Sequence, residues 1–78
     1  ALWFTTRALA RELASSHVRL NMVSPGYLEN STVRHSVPLP MGREATLAEV
    51  AETVAFLFSS SASYITGQNI EVAGGIRI

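Results

Sequence analysis

Val18-Arg19-Leu20-Asn21-Met22-Val23-Ser24-Pro25-Gly26 is an apolar, β-rich run that stops at a Pro-Gly break. Proline has no N–H to continue a ladder, and glycine reaches backbone angles that other residues avoid. Helical patterns lie on both sides of the run. A strand so placed reads as one arm of a parallel α/β sheet. Near-continuous apolarity over residues 18–23 suits a parallel strand covered on both faces. Ligands of such sheets bind beyond the carboxyl ends of the strands. The Pro-Gly turn is therefore where function is expected, with Gly26 supplying a positive backbone angle.

Upstream, residues 1–15 read as a helix. Leu2, Thr6, Leu9 and Leu13 share one stripe, bordered by Trp3 and Ala10. Ala1, Phe4 and Ala8 form a second stripe. A surface helix normally shows one apolar face, so two faces predict burial on a sheet and against another helix. No N-cap precedes the pattern, and a helix that begins mid-pattern reads as truncated.

Downstream, residues 25–40 form a long irregular connection, with a short helix expected near residues 29–36. A connection of this length favours a binding loop or lid over a plain linker. Thr46-Leu47-Ala48-Glu49 matches a capping box. Leu47, Val50, Val54, Leu57 and Phe58 then recur at helical spacing. The helix is expected to stop at Ser59-Ser60-Ser61. Residues 64–67 read as a turn, residues 68–72 as the second strand, and Gly74-Gly75 closes it. The fold class is α/β: helix, strand, loop, helix, strand. The last strand–helix–strand stretch forms one βαβ unit, expected to cross over right-handed, with the two strands parallel and adjacent.

The chain has 78 residues, 47% of them hydrophobic and 15% charged. So short a chain makes at most one domain and buries little of its surface. Such an apolar supply points to part of a larger body or to an obligate oligomer. Six basic and six acidic residues cancel, and no basic stripe suggests nucleic acid. The absence of cysteine excludes a disulfide scaffold. No apolar run reaches membrane-spanning length, and residues 1–15 lack a signal-peptide pattern. A cytoplasmic location is the default expectation.

The 18–26 segment resembles the strand-to-Pro-Gly segment of the short-chain dehydrogenase/reductase family. Pro40-Met41-Gly42-Arg43 looks like that family's Pro-x-Gly-Arg segment, and residues 46–57 are similar to the helix after it. Ser63-Tyr64-Ile65-Thr66-Gly67-Gln68-Asn69-Ile70-Glu71-Val72-Ala73-Gly74-Gly75 resembles its C-terminal signature. Four segments in the family's order and spacing make the resemblance specific. It implies a single, incomplete domain over residues 1–78, the C-terminal part of a Rossmann-like parallel sheet. The resemblance covers about the last third of a typical member.

Such a member transfers hydride between NAD or NADP and a small-molecule carbonyl or alcohol. The glycine-rich phosphate loop, the Asn-Asn-Ala-Gly segment and the catalytic serine have no counterpart in these residues. The family's Tyr-x-x-x-Lys pair would lie just before Ala1. Tyr27 and Tyr64 do not replace it, since the chain contains no lysine. No catalytic residue is therefore assigned, and the 78 residues alone are not expected to catalyse the reaction. The resemblance implies cofactor contacts at Pro25, Gly26 and Leu28, which border the nicotinamide. Asn30 stands where a threonine usually bonds the carboxamide, with Ser31 and Thr32 following. An asparagine amide offers both donor and acceptor. Ala73 replaces the usual aspartate before Gly-Gly, and Leu47 stands where proline commonly opens the helix; both departures read as structural.

Other chemistry-bearing residues have plainer readings. His17 and His35 lack a carboxylate cluster at metal-ligand spacing and read as solvated or capping, so no metal site is expected. Glu29 is a conceivable general base, yet a lone loop glutamate more often is simply exposed. Trp3 and Phe4 read as interface or core residues. Arg43 reads as a salt bridge or loop anchor before an anion site. The expected partners are the missing N-terminal part or further copies of the chain. The rival reading is a non-catalytic module assembling through exposed βαβ faces; another is a small enzyme whose site forms on oligomerisation.

Overall fold

The computed structural model describes residues 2–30 and 38–76. Four elements follow in order: α1 (Leu2–Leu13), β1 (Met22–Pro25), α2 (Leu47–Phe58) and β2 (Asn69–Val72). Short 3-10 turns follow each helix, at Ala14–Ser16 and Ser60–Ala62. The strands pair in parallel, with Met22 opposite Asn69 and Pro25 opposite Val72. Helix, strand, loop, helix and strand thus occur as the sequence predicts.

The first strand is displaced from its expected span. Residues 18–21 are not in the ladder, and the strand instead runs through Pro25. Side chains explain the shift. Leu20 N–H donates to Thr66 Oγ1 at 3.1 Å. Asn21 Nδ2 donates to the Ile65 carbonyl at 3.1 Å, and its Oδ1 accepts from Gln68 N–H at 3.0 Å. These bonds satisfy the backbone before the strands converge. Met22 N–H then donates to the Gln68 carbonyl and Gly26 N–H to the Val72 carbonyl, at 2.8 and 2.9 Å. Residues two apart face the same way in a strand. Pro25 therefore sits where the backbone nitrogen faces away from β2, and its missing N–H removes no bond to that strand.

Thr46 starts α2 as the capping box predicts: its hydroxyl accepts from Glu49 N–H at 3.1 Å, and Glu49 Oε1 accepts from Thr46 N–H at 2.8 Å. At the other end Arg19 Nη2 donates to the Leu57 carbonyl at 2.7 Å, and Nη1 to the Ile65 carbonyl at 3.2 Å. Arg19 thus takes up one of the carbonyls a helix terminus leaves unpaired.

Among the described residues the buried apolar ones are Ala10, Leu57 and Ala62, joined by Thr6, whose hydroxyl bonds the Leu2 carbonyl. Ala10 lies over Gly67, where a Cβ would stand 3.4 Å from the Ala10 Cβ and φ is +71°. Only glycine combines that angle with so close a helix. Of the expected α2 face, Leu57 is buried at 8% exposure while Leu47, Val54 and Phe58 are exposed, Phe58 at 83%. Two strands are too narrow to cover three turns of helix. The two-faced expectation for α1 fares likewise: the contacts run through Thr6 and Ala10, and Leu2, Phe4 and Leu9 face outward.

Candidate functional site

The carboxyl ends of β1 and β2 meet at the Pro-Gly turn. Pro25 is exposed, and Gly26 and Leu28 are half-buried. Gly26 does not adopt a positive φ; among the described glycines only Gly42, Gly67, Gly74 and Gly75 do. The expected reason for this glycine is therefore corrected. A Cβ on residue 26 would stand 3.1 Å from Ala73 Cα and 3.4 Å from Ala73 Cβ. The residue is small because the segment after β2 passes directly over it.

Beyond the turn the chain is clamped. Leu28 forms an isolated parallel bridge with Ala45. Glu29 N–H donates to the Ala45 carbonyl at 2.9 Å, and Ala45 N–H to the Tyr27 carbonyl at 2.8 Å. The long connection between β1 and α2 thus leaves and returns through one small backbone ladder. Asn30 follows in an exposed turn. The rest of the helix expected near residues 29–36 lies outside the described residues, as do Ser31, Thr32 and His35.

Carboxylates gather at the start of α2, where the helix dipole favours negative charge. Glu29 Oε2 accepts from Leu47 N–H at 2.8 Å. Glu49 receives both Arg43 guanidinium nitrogens, at 2.8 and 2.7 Å, besides the Thr46 N–H. The Arg43 hydrogen bonds above all, then the Thr46 N–H, hold the Glu49 carboxyl down at about 2. The same pair raises Arg43 above its ordinary value. Arg43 is thus the structural anchor expected, and Glu29 is a helix cap. Sequence reading missed the roles of Glu29, Arg19 and Asn21, because their partners lie 18 to 47 residues away along the chain. The only local hint was Leu47, which keeps an N–H at the first helical position.

A small cavity of about 110 Å³ opens beside the strand ends, lined by residues that include Tyr27, Met41, Ala45, Val72, Gly74 and Ile76. Tyr27 is the one residue of the Pro-Gly turn that reaches it. Pro25, Gly26, Leu28 and Asn30 lie along the neighbouring backbone, outside its lining. Tyr64 is fully exposed. His17 ends the first 3-10 turn with φ +60°, its N–H on the Ala14 carbonyl at 3.0 Å, which is a capping role. Among the described residues no three His, Cys, Asp or Glu side chains gather to hold a metal. No described helix is long and apolar enough to cross a membrane.

Comparison with known proteins agrees with this geometry. The family described as Enoyl-(Acyl carrier protein) reductase matches residues 1–77. The 3-oxoacyl-(acyl-carrier-protein) reductase FabG of Salmonella typhimurium is 39% identical over 80 residues, covering 91% of this chain and 33% of that protein. The acetoacetyl-CoA reductase of Allochromatium vinosum is 42% identical, covering 91% of this chain and 32% of the relative. The crystal structure of acetoin dehydrogenase from Enterobacter cloacae superposes with a TM-score of 0.82 at 37% identity, covering 95% of this chain and 31% of that one. The chain spans about a third of the length of the relatives it matches. Matched by that family over residues 1–77 and superposing closely on a solved dehydrogenase, the chain belongs to the short-chain dehydrogenase/reductase family.

Proposed function

We propose that this chain forms the carboxyl-terminal portion of an NAD(P)-dependent oxidoreductase acting on a carbonyl or alcohol. The observation that carries the reading is the meeting of two parallel strand ends at Gly26 and Ala73. Open α/β sheets bind ligands at such strand ends. The three similar proteins named above, two reductases and a dehydrogenase, support the same class.

Bound at these strand ends, the nicotinamide supplies the hydride chemistry, and the protein supplies orientation and polarity. Pro25, Gly26 and Leu28 form a backbone wall beside the ring. Asn30 lies in an exposed turn, and its amide is a donor–acceptor pair matched to a carboxamide. The donor set thus fits the group. The clamp at Ala45 holds the wall in place. The outward apolar residues of α1 and α2 face the remainder of the enzyme or further copies of it.

Asn30→Ala tests the reading in the polypeptide that carries this sequence. Titration with NADH and with NADPH should show binding weakened roughly three- to tenfold, the scale of one hydrogen bond, at an unchanged melting temperature. A parent protein that binds neither dinucleotide would sink the proposal and favour a non-catalytic assembly module.

A further inference from the structure

Glu29 is held from two directions. Its backbone N–H donates to Ala45, and its carboxylate reaches past that bond to the first amide of α2. Together with the Leu28–Ala45 bridge, these bonds immobilise the chain immediately before Asn30. A proline at position 47 would suit the first turn of a helix, since the N–H there has no intrahelical partner. Leucine retains that N–H, and Glu29 uses it. Glu49 serves the preceding amide, that of Thr46. The two glutamates therefore have separate tasks: Glu49 closes the helix on itself, whereas Glu29 ties the helix to the turn.

We propose that Glu29 is a positioning residue for the nicotinamide side of the site: by capping α2 through Leu47 N–H, it fixes the turn that presents Asn30. This rests on the functional reading above. Small displacements of an orienting group weaken the contact it makes. Gln retains a carbonyl oxygen able to accept from Leu47 N–H; Ala does not.

The experiment uses the polypeptide carrying this sequence, with NADH and NADPH as probes. Dissociation constants, melting temperature and hydrogen exchange at the Leu47 amide are measured for E29A, E29Q, L47P and the double variant E29A/N30A. E29A should speed exchange at Leu47 and weaken binding roughly three- to tenfold, the worth of the lost hydrogen bond. L47P, which deletes the donor and leaves the carboxylate, should weaken binding equally, and E29Q should bind like the parent. E29A/N30A should bind no more weakly than N30A alone. Parent-like binding by E29A, or additive losses in E29A/N30A, overturns the positioning role and leaves the functional reading standing. L47P binding like the parent while E29A does not would likewise overturn it, placing the carboxylate's action elsewhere. If the parent binds neither dinucleotide, both the functional reading and this role fall.

Discussion

A methyl group at residue 26 would meet Ala73 Cα at 3.1 Å, closer than carbon atoms ordinarily pack. The Ala73 backbone cannot swing aside as a flexible side chain can. Gly26→Ala should therefore destabilise the protein by about 1–3 kcal/mol, as overpacking does, read as a lowered urea midpoint. An unchanged midpoint would mean that the two strand ends separate freely. Glu49 makes a different residue-scale prediction. Its carboxyl ionises at about 2 against an ordinary 4.5. The folded state thus holds that proton less tightly than the unfolded state. The resulting stabilisation is complete above about 4.5 and is lost as pH falls through about 2. The pair is roughly half exposed, so the effect is small. Melting temperature followed from pH 7 downward should show the parent's advantage over Glu49→Gln shrinking within that window. A constant difference at every pH counts against the pair.

Helix α2 carries its own start signal, and the structure honours it. Thr46→Ala removes the hydroxyl that accepts from Glu49 N–H and should cost about 1 kcal/mol, the usual worth of such a cap. Leu57→Ala acts at the other end of the same helix. Leu57 is the buried residue of its apolar face, and truncation should cost about 2–3 kcal/mol, the lower part of the range for leucine, because the site opens toward exposed Phe58. Chemical denaturation of both variants checks the order: a Thr46→Ala loss exceeding that of Leu57→Ala would mean that packing on β1 contributes less than the cap.

At the scale of the molecule, the described fold has a thin core. Its radius of gyration is 14.3 Å, against about 11.5 Å for a compact chain of this length. Leu2 and Phe4 are 68% and 80% exposed, and rows of such side chains mark contact surfaces. The 78 residues by themselves should not give a cooperatively melting monomer at micromolar concentration. Sedimentation velocity with a thermal melt checks this, and a sharp monomeric transition contradicts it. Homogeneous material of this length should also leave NADPH unoxidised in the presence of a carbonyl substrate, because no Tyr/Lys pair stands in it to donate the proton.

The sequence by itself determined what local rules control. Periodicity placed α2, the Thr46–Glu49 spacing placed its cap, and the apolar runs signalled two parallel strands, though not the span of the first. The likeness of the Pro-Gly, Pro-x-Gly-Arg and Gly-Gly segments identified the family. Tertiary structure alone decided where β1 begins, since Asn21 and Leu20 spend their polar groups on residues 65–68 before the ladder forms. It also decided why residue 26 is glycine, because the crowding comes from Ala73, 47 positions along the chain. Arg19 and Glu29 gained their capping roles in the same way, by meeting a helix end distant in sequence. Spacing along a chain encodes bonds made within a turn or two; a bond that closes a long loop exists only once the strands have brought its ends together.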